Sequence, residues 1–199
     1  MNTLPHFVLA YHGCDQSIVE KIVNDATSNL EPSKNNYDWL GHGTYFWEND
    51  PQRARKYAED IHKNPRLSSK DPIKNPAVIG AIIDLGNCFN LIEAKHLDFL
   101  KGGYEHFKAH TEKLKKPLPT NRSGLRKTTD LLLRELDCAV IESIHEYMKE
   151  NNKPEFDTVR AVFWEGRDLY PNAGFAEKNH IQICVRDPQM IQGYFLPRF

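Results

Sequence analysis

Three short segments of the chain carry polar side chains of the kind that bind a nucleotide or a sugar. His12 and Gly13 follow the apolar run HFVLAY, residues 41–45 form a glycine-rich turn, and Gln182 lies in an otherwise apolar segment. Imidazole, phenol and carboxamide groups make directional hydrogen bonds, and a glycine lets a ligand approach the backbone because it has no Cβ. Each segment alone also has an ordinary structural explanation: a hydrogen-bonding histidine at a strand end, a tight turn, or an edge residue.

Taken together, the three segments resemble the motifs of the ADP-ribosyltransferase superfamily, in the branch of diphtheria toxin and the poly(ADP-ribose) polymerases. In that branch the first strand ends in His-Gly, a Gly-x-Gly-x-Tyr-Phe motif precedes a helix, and a glutamate lies on a strand near the C-terminus. This sequence has His12-Gly13, a helix start at Pro51, a late segment at 179–187, and at positions 41–46 the run GHGTYF. The likeness covers the two ends of the chain and leaves its middle unmatched.

The resemblance implies an α+β fold, in which a split, mixed or antiparallel sheet with flanking helices surrounds a cleft for NAD. It implies that His12 binds the adenosine ribose, that the backbone of Gly13 binds the nicotinamide carboxamide, and that Tyr45 stacks on the cationic nicotinamide ring. Tyr57 would cover the other side of that ring. The complete set of NAD-binding residues implied by the resemblance is His12, Gly13, Gly43, Tyr45, Phe46 and Tyr57.

The third motif departs from the family pattern, because Gln182 stands where the family has a glutamate. A glutamine can accept the same hydrogen bond from the nicotinamide ribose, but it lacks the charge that makes such bonds roughly twice as strong. Strand alternation places Gln182 opposite Ile181 and Ile183, on the face that holds the cleft in the family. Either Gln182 is sufficient, or Glu165 or Glu177 supplies a carboxylate, or NAD is bound without being cleaved. The expected catalytic residues are His12, Tyr45 and Gln182.

We therefore expect an NAD-dependent mono-ADP-ribosyltransferase that cleaves the nicotinamide–ribose bond and transfers ADP-ribose to a macromolecular acceptor. Chain elongation is not expected, because the glutamate that activates an acceptor ribose is replaced by Gln182. Two alternatives stay open: an NAD glycohydrolase with water as acceptor, and a module that binds NAD or ADP-ribosylated ligands without turnover. Bacterial members of the family are often toxins, which would imply an antitoxin or inhibitor protein as a partner.

Charge is divided unevenly along the chain, whose formal net charge is −1. Residues 101–127 hold eight lysines and arginines against two glutamates, a net charge of +6, which leaves −7 for the remainder. A basic insertion that also carries Tyr104 and Phe107 fits contacts to the phosphates and bases of RNA or DNA. A solvated, lysine-rich insertion is the alternative.

The elements that position these segments follow from apolar periodicity and capping residues. A capping box at Ser17 predicts one helix, and Asp50-Pro51 predicts a second that runs to about His62. A third helix is predicted over 128–150, capped by Thr128 or Thr129, because apolar side chains recur every four residues at Leu132, Leu136, Val140, Ile144 and Met148. Strands are expected over 6–11, 44–47, 77–85, 158–164, 180–186 and 191–196.

The composition fits one domain that spans residues 1–199, since 199 residues with 40% apolar side chains can bury a core without disulfides. The four cysteines are far apart and form no CxxC pair, which predicts free thiols in a reducing cytoplasm. No metal site is expected, and no apolar stretch approaches the ~20 residues of a membrane span. No signal peptide is recognisable at the N-terminus.

Overall fold

The computed structural model describes residues 7–65, 72–123 and 130–199. Within these ranges the chain is an α+β structure with four helices and two sheets. The strands are β1 (Phe7–Asp15), β2 (Thr44–Glu48), β3 (Pro76–Asp84), β4 (Cys88–Asn90), β5 (Asn121–Arg122), β6 (Leu133–Arg134), β7 (Thr158–Phe163), β8 (His180–Val185) and β9 (Ile191–Phe195). The helices are α1 (Gln16–Asn24), α2 (Pro51–Lys63), α3 (Ala94–Lys113) and α4 (Glu135–Glu150).

The main sheet has seven strands in the order β4-β7-β8-β2-β1-β3-β9. Strands β4 and β7 run parallel, and the other neighbours in this sheet run antiparallel. The six strands predicted from sequence are all present, whereas β4, α3 and the small sheet β5–β6 were not foreseen.

The sheet opens between β1 and β2. Strand β1 pairs with β3 along its whole length, but it pairs with β2 only at Ala10↔Glu48 and Tyr11↔Trp47. The first strand was predicted over 6–11 with its end at His12-Gly13, and this end was wrong because pairing with β3 carries β1 on to Asp15. His12 instead marks the point at which β1 leaves β2.

Alternation along the strands divides the core between the two faces of the sheet. The α1-side core contains Ala10, Cys14, Val19, Ile22, Phe46, Ile79, Ala81, Ile83, Ile183 and Val185. The α4-side core contains Leu40, Phe89, Val140, Ile141, Ile144, Met148, Val159, Ala161, Phe163 and Cys184. A third, smaller group lies under α2 and consists of Trp47, Ala54 and Val78.

The predicted capping residues are confirmed for α2, whereas α1 and α4 begin at other residues than predicted. In α2, Asp50 accepts a hydrogen bond from the Arg53 amide and Pro51 occupies the first turn, as predicted. In α1 the N-cap is Asp15, which accepts from the amide of Ser17, so the predicted capping box at Ser17 was wrong.

The helix predicted over 128–150 begins later than its pattern of apolar residues indicated. Helix α4 starts at Glu135, because residues 133–134 pair with β5 and the Asn121 side chain accepts from the amides of Leu136 and Asp137 at 2.9 and 3.2 Å. The predicted caps, Thr128 and Thr129, lie outside the described residues.

The basic stretch 101–127 is not one continuous surface loop. Its first part is the C-terminal half of α3, and residues 124–129 lie outside the described residues. Tyr104 and Phe107 are half-buried and pack against the α4-side core. The lysines at 101, 113, 115 and 116 remain exposed.

All four cysteines are free thiols, as predicted, and Cys14, Cys138 and Cys184 are buried. Burial raises the pKa of both Cys14 and Cys138 to about 12, so these thiols stay protonated at neutral pH. None of the helices in the described ranges has the length and apolar character needed to cross a bilayer.

His145 makes the stability of the fold sensitive to acid. Its ring is 2% exposed in α4, and burial lowers its pKa from 6.5 to about 4, with Arg186 as a second cause. The charge of Glu142 opposes that shift only in part, and the carboxylate of Glu155 lies 4.0 Å from Nδ1. Below pH 6.5 the unfolded chain therefore binds a proton that the folded chain does not take up until about pH 4.

We expect the free energy of unfolding to fall as the pH drops from 6.5, by about 3 kcal/mol at pH 4 from this histidine alone. Urea unfolding at several pH values measures the effect. His145→Gln should remove this part of the pH dependence, whereas His106→Gln, at an exposed position of α3, should keep it. Equal pH profiles for the wild type and His145→Gln would contradict the prediction.

Candidate functional site

His12 spans the gap where β1 and β2 separate. Its Nδ1 atom lies 2.7 Å from the carbonyl oxygen of Tyr45, and its ring lies 5.9 Å from that of Phe46, edge to face. Because a carbonyl oxygen only accepts, Nδ1 carries the proton in this contact. The imidazole therefore bonds the β2 backbone at the position where β1 no longer pairs with it.

The Tyr45 side chain closes the turn that precedes β2. Its hydroxyl accepts a hydrogen bond from the Leu40 amide at 2.8 Å and donates one to the Gly41 carbonyl at 2.5 Å. Its ring packs against the α4-side core, and burial raises the pKa of the phenol well above its usual value. His12 and Tyr45 are thus neighbours through the backbone, while their rings contact opposite faces of the sheet.

The turn at residues 41–43 is fixed by a carboxylate on α4. Glu142 accepts from the His42 amide at 2.7 Å and forms an ion pair with Arg186, which also donates to the His42 carbonyl. Burial alone would raise the pKa of Glu142, but the hydrogen bonds from Arg186 and the His42 amide lower it overall. Gly41 has φ +78°, a left-handed conformation that favours glycine.

Three of the predicted NAD-binding residues occupy closely packed positions. A Cβ on Gly13 would lie 2.1 Å from the Ala54 carbonyl oxygen, and one on Gly43 would lie 2.5 Å from that of Val185. Phe46 is 0% exposed in the α1-side core. The two glycines let α2 and β8 approach, and the Phe46 ring fills the core.

A buried polar cluster joins the first turn of α2, the paired strands β2 and β8, and the loop after β7. Each of its members is at most 9% exposed, although all of them are polar or carry a polar group. We call it the polar cluster; it consists of Trp47, Arg53, Glu165, His180 and Gln182.

The members of the polar cluster contact one another across four elements of the chain. Trp47 and Gln182 are cross-strand partners of β2 and β8. The Arg53 guanidinium lies 5.3 Å from the Trp47 ring and donates through Nη2 to Glu165 Oε2 at 2.7 Å. That carboxylate oxygen is 3.8 Å from Nδ1 of His180, whose ring centroid lies 6.2 Å from that of Trp47.

Several buried atoms of the polar cluster have no hydrogen-bond partner among the described residues. They are Trp47 Nε1, Arg53 Nε and Nη1, His180 Nε2 and Gln182 Oε1. The Trp47 and Arg53 atoms are donors, and Gln182 Oε1 is an acceptor. His180 Nδ1 lies 2.7 Å from the Lys178 carbonyl oxygen and donates to it, so Nε2 of the neutral ring is a second acceptor.

Leaving a buried polar group unpaired costs about 1–3 kcal/mol, so native proteins pair such groups with protein, water or ligand. The unpaired atoms of the cluster include both donors and acceptors, so a group that carries both types can pair with them. Burial lowers the pKa of His180, so the imidazole stays neutral at neutral pH. Arg53 and Glu165 carry the formal charges of the cluster and form an ion pair within it.

Two aromatic rings pack against each other at the polar cluster. The rings of Trp47 and Tyr57 lie 4.9 Å apart at an angle of 44°. Tyr57, on α2, is one of the residues predicted to contact nicotinamide. Trp47 was not predicted, although it follows Tyr45 by two residues and therefore shares its side of β2.

Sequence reasoning identified part of this site. Alternation correctly placed Gln182 on the face opposite Ile183, and the structure shows that Trp47 is its cross-strand partner. Of the two candidate loop carboxylates, Glu165 is buried, whereas Glu177 is exposed and pairs with Arg167 at 3.1 Å. Arg53 and His180 were missed as site residues. Arg53 could have been identified from its position in the first turn of α2. His180 could have been identified because it lies two residues before Gln182 on the same strand and therefore on the same face.

No protein-family model and no solved structure matches the chain. Among curated proteins, the chain is similar to an uncharacterized protein of Methanocaldococcus jannaschii. The two are 28% identical over 206 aligned residues, which cover 92% of this chain and 83% of that protein. The similarity extends over nearly the whole chain and brings no activity with it.

Proposed function

We propose that this protein is an NAD-dependent mono-ADP-ribosyltransferase. The observation that carries the proposal is the carboxamide oxygen of Gln182, which is buried in the polar cluster without a partner among the described residues. It lies at the position where the sequence motif calls for the group that binds the nicotinamide ribose. The opening between β1 and β2 supports the same interpretation, because His12 lies at its edge.

In the proposed reaction, the bond between ribose C1′ and the nicotinamide nitrogen breaks. Its electron pair leaves with the nicotinamide, and positive charge develops on the ribose ring. Gln182 accepts a hydrogen bond from a ribose hydroxyl. Trp47 and Tyr57 offer aromatic faces to the cationic nicotinamide ring of NAD.

The roles of His12 and Tyr45 in this proposal are to shape the site. His12 holds the open edge of β2 through the Tyr45 carbonyl, and the Tyr45 hydroxyl fixes the turn before β2. Both residues thereby set the position of Trp47, two residues further along β2. A site held by several fixed contacts needs little rearrangement during the reaction.

The acceptor in this proposal is a macromolecule, and the exposed lysines of residues 101–116 are the proposed contacts if it is RNA or DNA. The free thiols are compatible with a cytoplasmic location, where NAD serves as co-substrate. Glycohydrolase activity and NAD binding without turnover are the competing outcomes of the experiment below.

Nicotinamide release from NAD by the purified protein tests the function, measured with and without RNA, DNA and a protein extract. We expect release that depends on an acceptor, and a 5- to 150-fold decrease in Gln182→Ala because one hydrogen bond worth about 1–3 kcal/mol is lost. Gln182→Glu should retain or raise cleavage. Gln192→Ala, at an exposed position of β9, is the matched control and should leave the rate unchanged.

The other outcomes separate the alternatives. Release without any acceptor would identify a glycohydrolase, and saturable NAD binding without release would identify a binding module. Full activity of Gln182→Ala would show that another group performs the role assigned to Gln182.

A further inference from the structure

Glu165 is buried although it lies in an exposed loop. It follows β7 by two residues and is 9% exposed, while its neighbour Trp164 is 56% exposed and Leu169 is 60% exposed. A carboxylate is rarely buried unless it is paired. Its position therefore reflects specific contacts.

Backbone and side-chain contacts fix Glu165 on both sides. Its carbonyl accepts from the Lys178 amide at 2.9 Å, and the next amide, that of Gly166, donates to Asp130 at 3.1 Å. Its side chain reaches Arg53, 112 residues away in the chain, which the N-cap of α2 holds in the first helical turn. The carboxylate is thus aimed at the polar cluster by three separate parts of the protein.

Stability alone does not explain this arrangement. A buried ion pair often contributes no more than well-packed apolar side chains would, because both ions lose their hydration. Arg53 also keeps two donor atoms without a partner among the described residues, so the pair is incompletely satisfied. Glu165 Oε2 accepts from Arg53, whereas Oε1 is 3.9 Å from Lys178 Nζ, beyond hydrogen-bond distance.

We propose that Glu165 is the catalytic carboxylate of this site and that Arg53 is its positioning residue. Glu165 is the one carboxylate among the five residues of the polar cluster, and Gln182 on the neighbouring strand has the shape of a glutamate without its charge. The inference rests on the proposed function and adds to it. It assigns the missing negative charge to the loop after β7 instead of to β8.

In the reaction, the negative charge of Glu165 stabilises the positive ribose that remains when neutral nicotinamide leaves. The acceptor nucleophile then forms its bond to C1′. The proton that the nucleophile loses passes to the Glu165 carboxylate and from there to water. A preorganised charge of this kind contributes a factor of about 100 or more when it acts only in the transition state.

The test measures nicotinamide release together with thermal unfolding. We expect Glu165→Gln, which keeps the shape and the acceptor for Arg53, to lower kcat by about 100-fold or more. Glu177→Gln removes a carboxylate from the same loop at an exposed position and should leave kcat unchanged. Arg53→Lys should lower kcat less than Glu165→Gln, because a cation still faces the carboxylate without the planar fork.

A rescue experiment separates a catalytic role from a structural one. In the double variant Glu165→Gln with Gln182→Glu, the negative charge returns to the same cluster from β8, and we expect kcat to recover by at least tenfold over Glu165→Gln. A purely structural carboxylate would not be replaced in this way. If Glu165→Gln fails to fold, Glu165→Asp keeps the charge and the pair with Arg53, and its kcat should stay within about tenfold of the wild type.

The outcomes distinguish this inference from the function itself. If the wild type releases nicotinamide and Glu165→Gln is equally active, the assignment of Glu165 is wrong and the proposed function stands. The same holds if Glu165→Gln is impaired and the double variant shows no recovery. If the wild type releases none under any condition, the function and the role of Glu165 both fail.

Discussion

Replacing Phe46 by alanine is expected to lower the free energy of unfolding by about 3–5 kcal/mol, the usual cost of removing a large buried aromatic side chain. The ring is 0% exposed and belongs to the α1-side core, where strands β1, β2, β3 and β8 contribute side chains. Removing it leaves a cavity that the surrounding strands cannot close. Urea unfolding followed by circular dichroism measures the change.

The Phe46 experiment also tests the role implied by the sequence motif, in which Phe46 contacts NAD. Phe46→Leu is the control, because it keeps most of the apolar volume and should cost clearly less than the alanine variant. A loss below about 1 kcal/mol in Phe46→Ala, combined with weaker NAD binding, would instead place the ring against the ligand. NAD binding that is unchanged in the folded fraction of both variants fits a core residue.

The positions of the strands and of Gln182 could be predicted because they depend on local patterns. Six apolar runs predicted six of the strands. The alternation of side chains along β8 placed Gln182 opposite Ile183, which is the face that Trp47 also occupies. Both inferences need only the period of two that relates side chains along a strand. Asp50 and Pro51 at the start of α2 are a similarly local signal.

The start of α4 could not be predicted, because it depends on a residue in another element. Asn121 caps the helix across the small sheet, 15 residues before Leu136 in the chain. The apolar period of four continues upstream to Leu132, so periodicity alone predicted a start that is too early. The same limit applies to Tyr104 and Phe107, whose apolar spacing also suits a helix that packs on α4.

The polar cluster was only partly accessible to sequence reasoning, since its contacts join distant parts of the chain. Arg53 and Glu165 are 112 residues apart, and nothing near Glu165 in the sequence distinguishes it from Glu177. A loop carboxylate is usually solvated, which is true of Glu177 and not of Glu165. Only the packing of α2 against the sheet brings Arg53 next to Glu165, and this ion pair offsets the cost of burying the carboxylate.

A second ion pair holds the strands that carry the site together from the opposite face. Arg160 on β7 donates through Nε and Nη2 to both oxygens of Glu48 on β2, at 2.5 and 2.8 Å. Strand β8 lies between β7 and β2, so the pair spans it. The hydrogen bonds to Glu48 are the first cause of a raised pKa for Arg160, against the lowering effect of burial.

Arg160→Met is expected to lower the free energy of unfolding by about 3–5 kcal/mol, because it leaves the carboxylate of Glu48 desolvated and unpaired. The Glu48 side chain is only 10% exposed, so water cannot replace the lost donors fully. Thermal and urea unfolding measure the loss. The exposed pair Arg167–Glu177 provides a matched control, and Arg167→Met should cost less than about 1 kcal/mol.

The double variant Glu48→Leu with Arg160→Met separates the penalty of an unpaired charge from the contribution of the pair itself. Replacing both ions by apolar side chains is often neutral or stabilising, so the double variant should recover most of the stability lost in Arg160→Met. If the double variant is as unstable as Arg160→Met, the lost stability does not come from the unpaired charge of Glu48, and the ion pair itself makes a net favourable contribution to the free energy of unfolding. In that case the Arg160–Glu48 contact itself sets the register of β7, β8 and β2, and with it the positions of Trp47 and Gln182.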